Sequence, residues 1–107
     1  MSEVTIKRRG ERVKISGEMT IYHSAQLKAE LANHFARCNK LELDLSEISE
    51  FDSAGFQVLA LFHREAIAQK KQFTLAKCSA PVRAALSAFQ VDWLDDNAGA
   101  VLSVTMK

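Results

Sequence analysis

Two periodicities alternate along the chain. Val4 and Ile6, then Val13 and Ile15, keep period two on either side of Gly10 and Glu11. This predicts an N-terminal hairpin, apolar on one face and carrying Lys7, Arg9, Arg12 and Lys14 on the other. From Ser24 the spacing turns helical, with Leu27, Leu31, Phe35 and Cys38 on one stripe. Leu41, Leu43 and Leu45 alternate with Lys40, Glu42 and Asp44, which predicts a half-buried strand, and 46–52 reads as a loop. In the next helical stretch Leu59, Phe62, His63 and Ala66 share a face. Phe73 and Leu75 mark a short strand. Val82, Ala85, Leu86 and Phe89 form a last stripe, with Pro81 in its first turn. The tail from Gln90 has no comparable period, although 101–105 reads as a final strand.

The predicted order is β-β-α-β-α-β-α, followed by that strand. Strands joined through helices need crossovers, hence parallel pairs in a mixed sheet. The alternation in Leu41–Leu45 covers that sheet on one face only, since a doubly wound sheet asks for continuously apolar strands. The expectation is an α/β domain, a single mixed sheet with helices packed on one face and Glu42 and Asp44 on the open face. At 107 residues, 48% hydrophobic and 25% charged, the chain reads as one globular domain over 1–107.

Composition excludes several functions. The longest apolar run, Val58–Phe62, is far shorter than the roughly 18 residues of a membrane span. The start, Met-Ser-Glu, shows no secretory signal, which favours a cytoplasmic protein. Net charge is +1, so no overall field favours nucleic acid. Cys38 and Cys78 stand alone rather than in ligand pairs and read as small buried hydrophobes. His23, His34 and His63 have no zinc-type spacing. The expectation is no metal, no cofactor and no catalytic residues.

Charge is nonetheless uneven. Residues 1–40 hold eight Lys or Arg against four acids, and 41–107 hold six against nine. Glu42, Asp44, Glu47, Glu50 and Asp52 gather around the third strand. A glycosidase pair would need a cleft that a one-sided sheet does not offer, and the run lacks the ligand spacing of a calcium loop. These acids read first as a solvated strand edge. The informative junction is Glu50-Phe51-Asp52-Ser53-Ala54-Gly55-Phe56, where Ser53 stands at an N-cap position and Ala54 and Gly55 leave the helix start approachable. A serine nucleophile is disfavoured, because the Gly-x-Ser-x-Gly elbow is missing.

At these residues the chain resembles a known family. Leu43-Asp44-Leu45-Ser46, a spacer, then Phe51-Asp52-Ser53-Ala54-Gly55 and an apolar helix resemble the STAS domain, the family of sulphate transporters and anti-sigma-factor antagonists. Ile15-Ser16-Gly17-Glu18 is similar to the family's Gly-Glu at the end of its second strand. The element order matches from about residue 4 to residue 89. Met19-Thr20 stands where Leu-Asp is frequent, Ala54 replaces a Ser or Thr, and Gln57 replaces a second glycine.

The resemblance implies a non-enzymatic regulator of the antagonist type. Ser53 would be phosphorylated by a partner serine kinase, itself an anti-sigma factor, and restored by a phosphatase, with Asp52 orienting or tuning it. Asp52, Ala54, Gly55, Asp44, Gly17, Glu18 and Thr20 would form the partner-binding surface, on a monomer or weak dimer. The alternative implied by the family is a constitutive cytosolic STAS subunit of a lipid-transport ABC complex, with Ser53 as a plain interface residue.

Overall fold

A computed structural model describes residues 3–89. The strands are β1 (Val4–Arg9), β2 (Arg12–Met19), β3 (Lys40–Phe51) and β4 (Gln72–Cys78), and the helices are α1 (Ser24–Ala36), α2 (Ser53–Gln69) and α3 (Ala80–Ala88). The strands form one mixed sheet in the order β1-β2-β3-β4. A two-residue turn closes the antiparallel β1–β2 hairpin, pairing Arg9 with Arg12 and Ile6 with Ile15. The β2–β3 and β3–β4 pairs are parallel, as α1 and α2 require when each carries the chain back to the start of the next strand. This is the predicted mixed α/β architecture. The strand expected over 101–105 lies outside the described residues.

The core joins the apolar face of the sheet to all three helices. Val13, Ile15, Leu41, Leu43, Leu45, Phe73 and Leu75 meet Leu27, Leu31, Leu59, Phe62, Val82 and Leu86 in one buried cluster. Phe35 and Phe62 lock α1 to α2 edge to face at 5.6 Å. Lys71 Nζ donates to the Phe35 carbonyl at 2.6 Å and lies over the Phe35 ring, tying the end of α2 to the end of α1. On the other face Arg12 pairs with Glu42, and Lys14 with Glu47 at 2.8 Å. These acids pin sheet register across β2 and β3.

Several elements depart from the sequence pattern. The loop expected over 46–52 is mostly strand, because β3 continues to Phe51. Past Leu45 only Ile48 turns fully inward, yet the backbone still pairs Ser16 with Glu47, Gly17 with Ile48 and Met19 with Phe51. Register shifts on the β2–β3 ladder break the alternation that would have announced a strand. Cys38 lies beyond the end of α1 and His34 is buried in its place on that helix. Phe89, expected on the buried stripe of α3, is 43% exposed and stacks on Phe56 at 4.3 Å. His63 is only partly buried and meets Phe73 edge-on. The thiols of Cys38 and Cys78 are free and partly buried, and burial pushes that of Cys78 up to about 11.

Candidate functional site

The C-terminal ends of β2 and β3 meet the N-terminus of α2, and the junction depends on two glycines. Gly17 sits at φ +99°, and a Cβ there would strike the carbonyl of Glu3, whose oxygen accepts from the Glu18 N–H at 2.8 Å. Its own carbonyl accepts from Ser49 Oγ at 3.1 Å, fastening β2 to β3. Gly55 lets the first turn of α2 lie against the carbonyl of Met19 and the ring of Phe51, leaving no room for a Cβ. Both glycines therefore serve the close approach of three chain segments.

The residue between them decides how α2 begins. Ser53 was expected at the N-cap; the structure gives that place to Asp52, whose backbone is extended while its Oδ1 accepts from the Gly55 N–H at 3.0 Å. A carboxylate competes well for this position because it accepts in charge-assisted form beside the positive end of the helix. The second oxygen, Oδ2, accepts from the Ile21 N–H at 3.0 Å. One side chain thus caps α2 and tethers the β2–α1 turn. Both oxygens are engaged by backbone, and Ser53, the first residue of the helix, is left exposed.

The tethered turn carries a feature that the sequence reading missed. Ile21 is 65% exposed and Tyr22 is 81% exposed, side by side next to the start of α2. The available signal was an apolar pair outside any strand or helix period. Ile21 and Ala54 belong to a groove of about 380 Å³ between α1 and α2, flanked by the cations Lys28 and Arg64. Tyr22 and Asp52 line a second hollow of about 400 Å³ with Thr20, Glu50 and Phe51. Thr20 is buried, and its Oγ1 has no hydrogen-bond partner among the described residues.

Of the residues singled out from sequence, Gly17, Glu18, Thr20, Asp52, Ser53, Ala54 and Gly55 converge here, Glu18 lying opposite Glu50 in the ladder. Asp44 does not. It pairs with Lys14 and Lys77 near the other end of β3, roughly 20–25 Å from Asp52 along the strand. It lies on the open face as expected, lining a hollow with Lys7, Arg9, Arg12 and Lys14, but is buried there rather than solvated: its Oδ1 accepts from the Ser46 N–H at 3.0 Å and from Ser46 Oγ at 2.6 Å. Burial works to raise the Asp44 pKa, but those two bonds, with Lys77 and Lys14, outweigh it and hold the carboxyl below its ordinary value. Among the described residues no group of three or more His, Cys, Asp or Glu could hold a metal ion, and no helix is long and apolar enough to cross a membrane.

Residues 2–96 match the family model described as "Mlab, STAS domain". The chain belongs to the STAS domain family. Its fold is similar to that of the anti-sigma factor antagonist SpoIIAA in its unphosphorylated form, at a TM-score of 0.66 and 19% identity over 82% of this chain and 81% of that one. It is also similar to an anti-sigma factor antagonist from Mycobacterium paratuberculosis, with a TM-score of 0.69 and 19% identity over 84% and 79% of the two chains. Over its described residues this STAS domain therefore shares the mixed-sheet fold of those antagonists, with four strands and three helices.

Proposed function

We propose that this STAS domain is a non-enzymatic protein-binding regulator of the anti-sigma-factor-antagonist type, whose docking surface is the start of α2 and whose switch is reversible phosphorylation of Ser53. The observation that carries this reading is the placement of Ser53. It is the exposed first residue of a helix capped by its neighbour, beside the exposed pair Ile21 and Tyr22. An exposed hydroxyl can enter a kinase active site without unfolding of the domain. Ile21 and Tyr22 give the same surface an apolar anchor for a partner.

The added phosphate brings about −1.5 to −2 charges. The domain tolerates it, since a helix N-terminus attracts anions and the group stays in water. A docked partner does not, because Asp52, Glu50 and Glu18 already make the surroundings acidic and the phosphate would have to be desolvated against them. The modification acts by blocking association, with no change of fold. In this scheme the nucleotide, the phosphoryl transfer and its reversal by a phosphatase belong to partners in the cytoplasm, and the domain is substrate and ligand. The test is labelling by the partner serine kinase: wild type takes up one phosphate at Ser53, located by fragmentation mass spectrometry, and Ser53→Ala takes up none.

A second reading is supported by the same apolar pair, because Ile21 and Tyr22 suit a permanent interface as well as a switched one. The domain would then be a constitutive STAS subunit of a lipid-transport ABC complex, with Ser53 packed against its ATPase. That reading predicts no phosphate on Ser53 in cells and stable co-purification with the ATPase.

A further inference from the structure

Lys7, Arg9, Arg12 and Lys14 form a square of cations on the hairpin. Lys7 lies directly opposite Lys14, and Arg9 directly opposite Arg12. Ile6 and Ile15 point into the core, so the alternation turns all four cations to the other face. Like charges directly opposite across a ladder are destabilising, and this hairpin keeps two such pairs in succession. Lys14 and Arg12 are relieved by Glu47 and Glu42. Among the described residues Lys7, Arg8 and Arg9 have no carboxylate within ion-pair distance. The four cations of the square, with Asp44, line one concavity of about 630 Å³, a volume within the roughly 300–1,000 Å³ range of small-ligand sites, while Arg8, also at its edge, alternates toward His34 on the other face.

We infer that this concavity is a binding site for a compact anion bearing two or more phosphoryl groups. Guanidinium forks match phosphate oxygens in paired hydrogen bonds, and lysines add mobile point charges. Neighbouring cations of the square stand roughly 5–7 Å apart at Cβ, a footprint for adjoining phosphates. A protein partner normally covers about 800 Å² per side, far more than this square. The site opens near the hairpin turn, at the opposite end of β2 from Met19 and the start of α2. Occupation of one therefore leaves the other free. Asp44 is the one carboxylate in the concavity and stays ionised, so it weakens the binding of any anion.

A free phosphorylated metabolite and a lipid headgroup present the same chemistry, and the experiment separates them. The full chain is titrated calorimetrically with inorganic tripolyphosphate at neutral pH and low salt. It is also sedimented with phosphatidylcholine vesicles, with and without cardiolipin, whose headgroup carries two phosphates. Saturable tripolyphosphate binding that weakens with added salt supports a free ligand. Retention on the acidic vesicles alone supports a headgroup. In either case Lys7→Glu/Arg9→Glu lowers affinity at least about tenfold, yet melts no lower than wild type, because each Glu faces a cation across the ladder. Asp44→Asn shifts affinity the other way and binds more tightly, which no loss of folding can imitate. The inference is overturned if neither probe binds, if the double variant binds like wild type, or if polyglutamate binds as tightly as tripolyphosphate.

Discussion

Replacing Asp52 by alanine removes two backbone contacts with one substitution, and the structure sets the size of the effect. Loss of the cap at the Gly55 N–H costs about 0.5–2 kcal/mol, typically near 1. The bond to the Ile21 N–H is also charge-assisted, a class worth about 1.5–3 kcal/mol, taken at its lower end because Asp52 is only half-buried. The sum is about 2–3 kcal/mol, which for a domain of this size lowers Tm by about 10–20 °C. Asp52→Asn keeps one carbonyl oxygen for Gly55 but offers an NH₂ toward the Ile21 N–H, so about 1–2 kcal/mol is lost. Urea unfolding followed by circular dichroism gives both numbers. Hydrogen exchange resolved by NMR separates the two bonds, since the Ile21 and Gly55 amides lose protection in the alanine variant beyond the global change. The reasoning is refuted if Asp52→Ala costs less than about 0.5 kcal/mol, or if both amides keep their wild-type protection.

Leu59→Ala opens a cavity in the middle of the core and costs about 2–5 kcal/mol in chemical denaturation. Gly17→Ala forces a Cβ into the Glu3 carbonyl at φ +99°, so it lowers the melting temperature and exposes the Glu18 amide to exchange. Stability should also fall on mild acidification. His34 is held below the ordinary histidine pKa of 6.5 by burial and by Arg8, and His63 by burial. The unfolded chain therefore takes up protons first, and stability present above pH 6.5 is lost as pH falls through the folded values. Denaturation midpoints measured at a series of pH values should show this slope, flattened in His34→Gln.

The fold was legible wherever burial imposes a period. Leu41, Leu43 and Leu45 announce β3, and Leu59, Phe62 and Ala66 announce α2, because each must reach the same core. The second half of β3 was not legible: past Leu45 its pairing rests on backbone bonds to β2 across register shifts, and side chains such as Glu47 and Ser49 face water. At the site, the Asp-Ser-Ala-Gly run marked the helix start but not the division of labour within it. One carboxylate serves both Gly55 and Ile21, and its contact with Ile21 joins residues thirty-one apart in sequence, which no local pattern encodes. Asp44 was misplaced for a related reason. A strand motif lists residues in order without stating how far a twelve-residue strand carries them from its end.

Binding of the purified cognate partner to Ser53→Ala and Ser53→Asp, both first shown to melt cooperatively, bears on the switch itself. Ser53 does not cap α2 through its side chain, so neither substitution removes that bond, and any difference reports on the surface. The alanine form should bind as wild type does, and the aspartate form at least about tenfold more weakly, a difference of about 1.4 kcal/mol that one uncompensated charge at an interface can supply. Equal affinity of the two folded variants would contradict a phosphorylation switch at the start of α2.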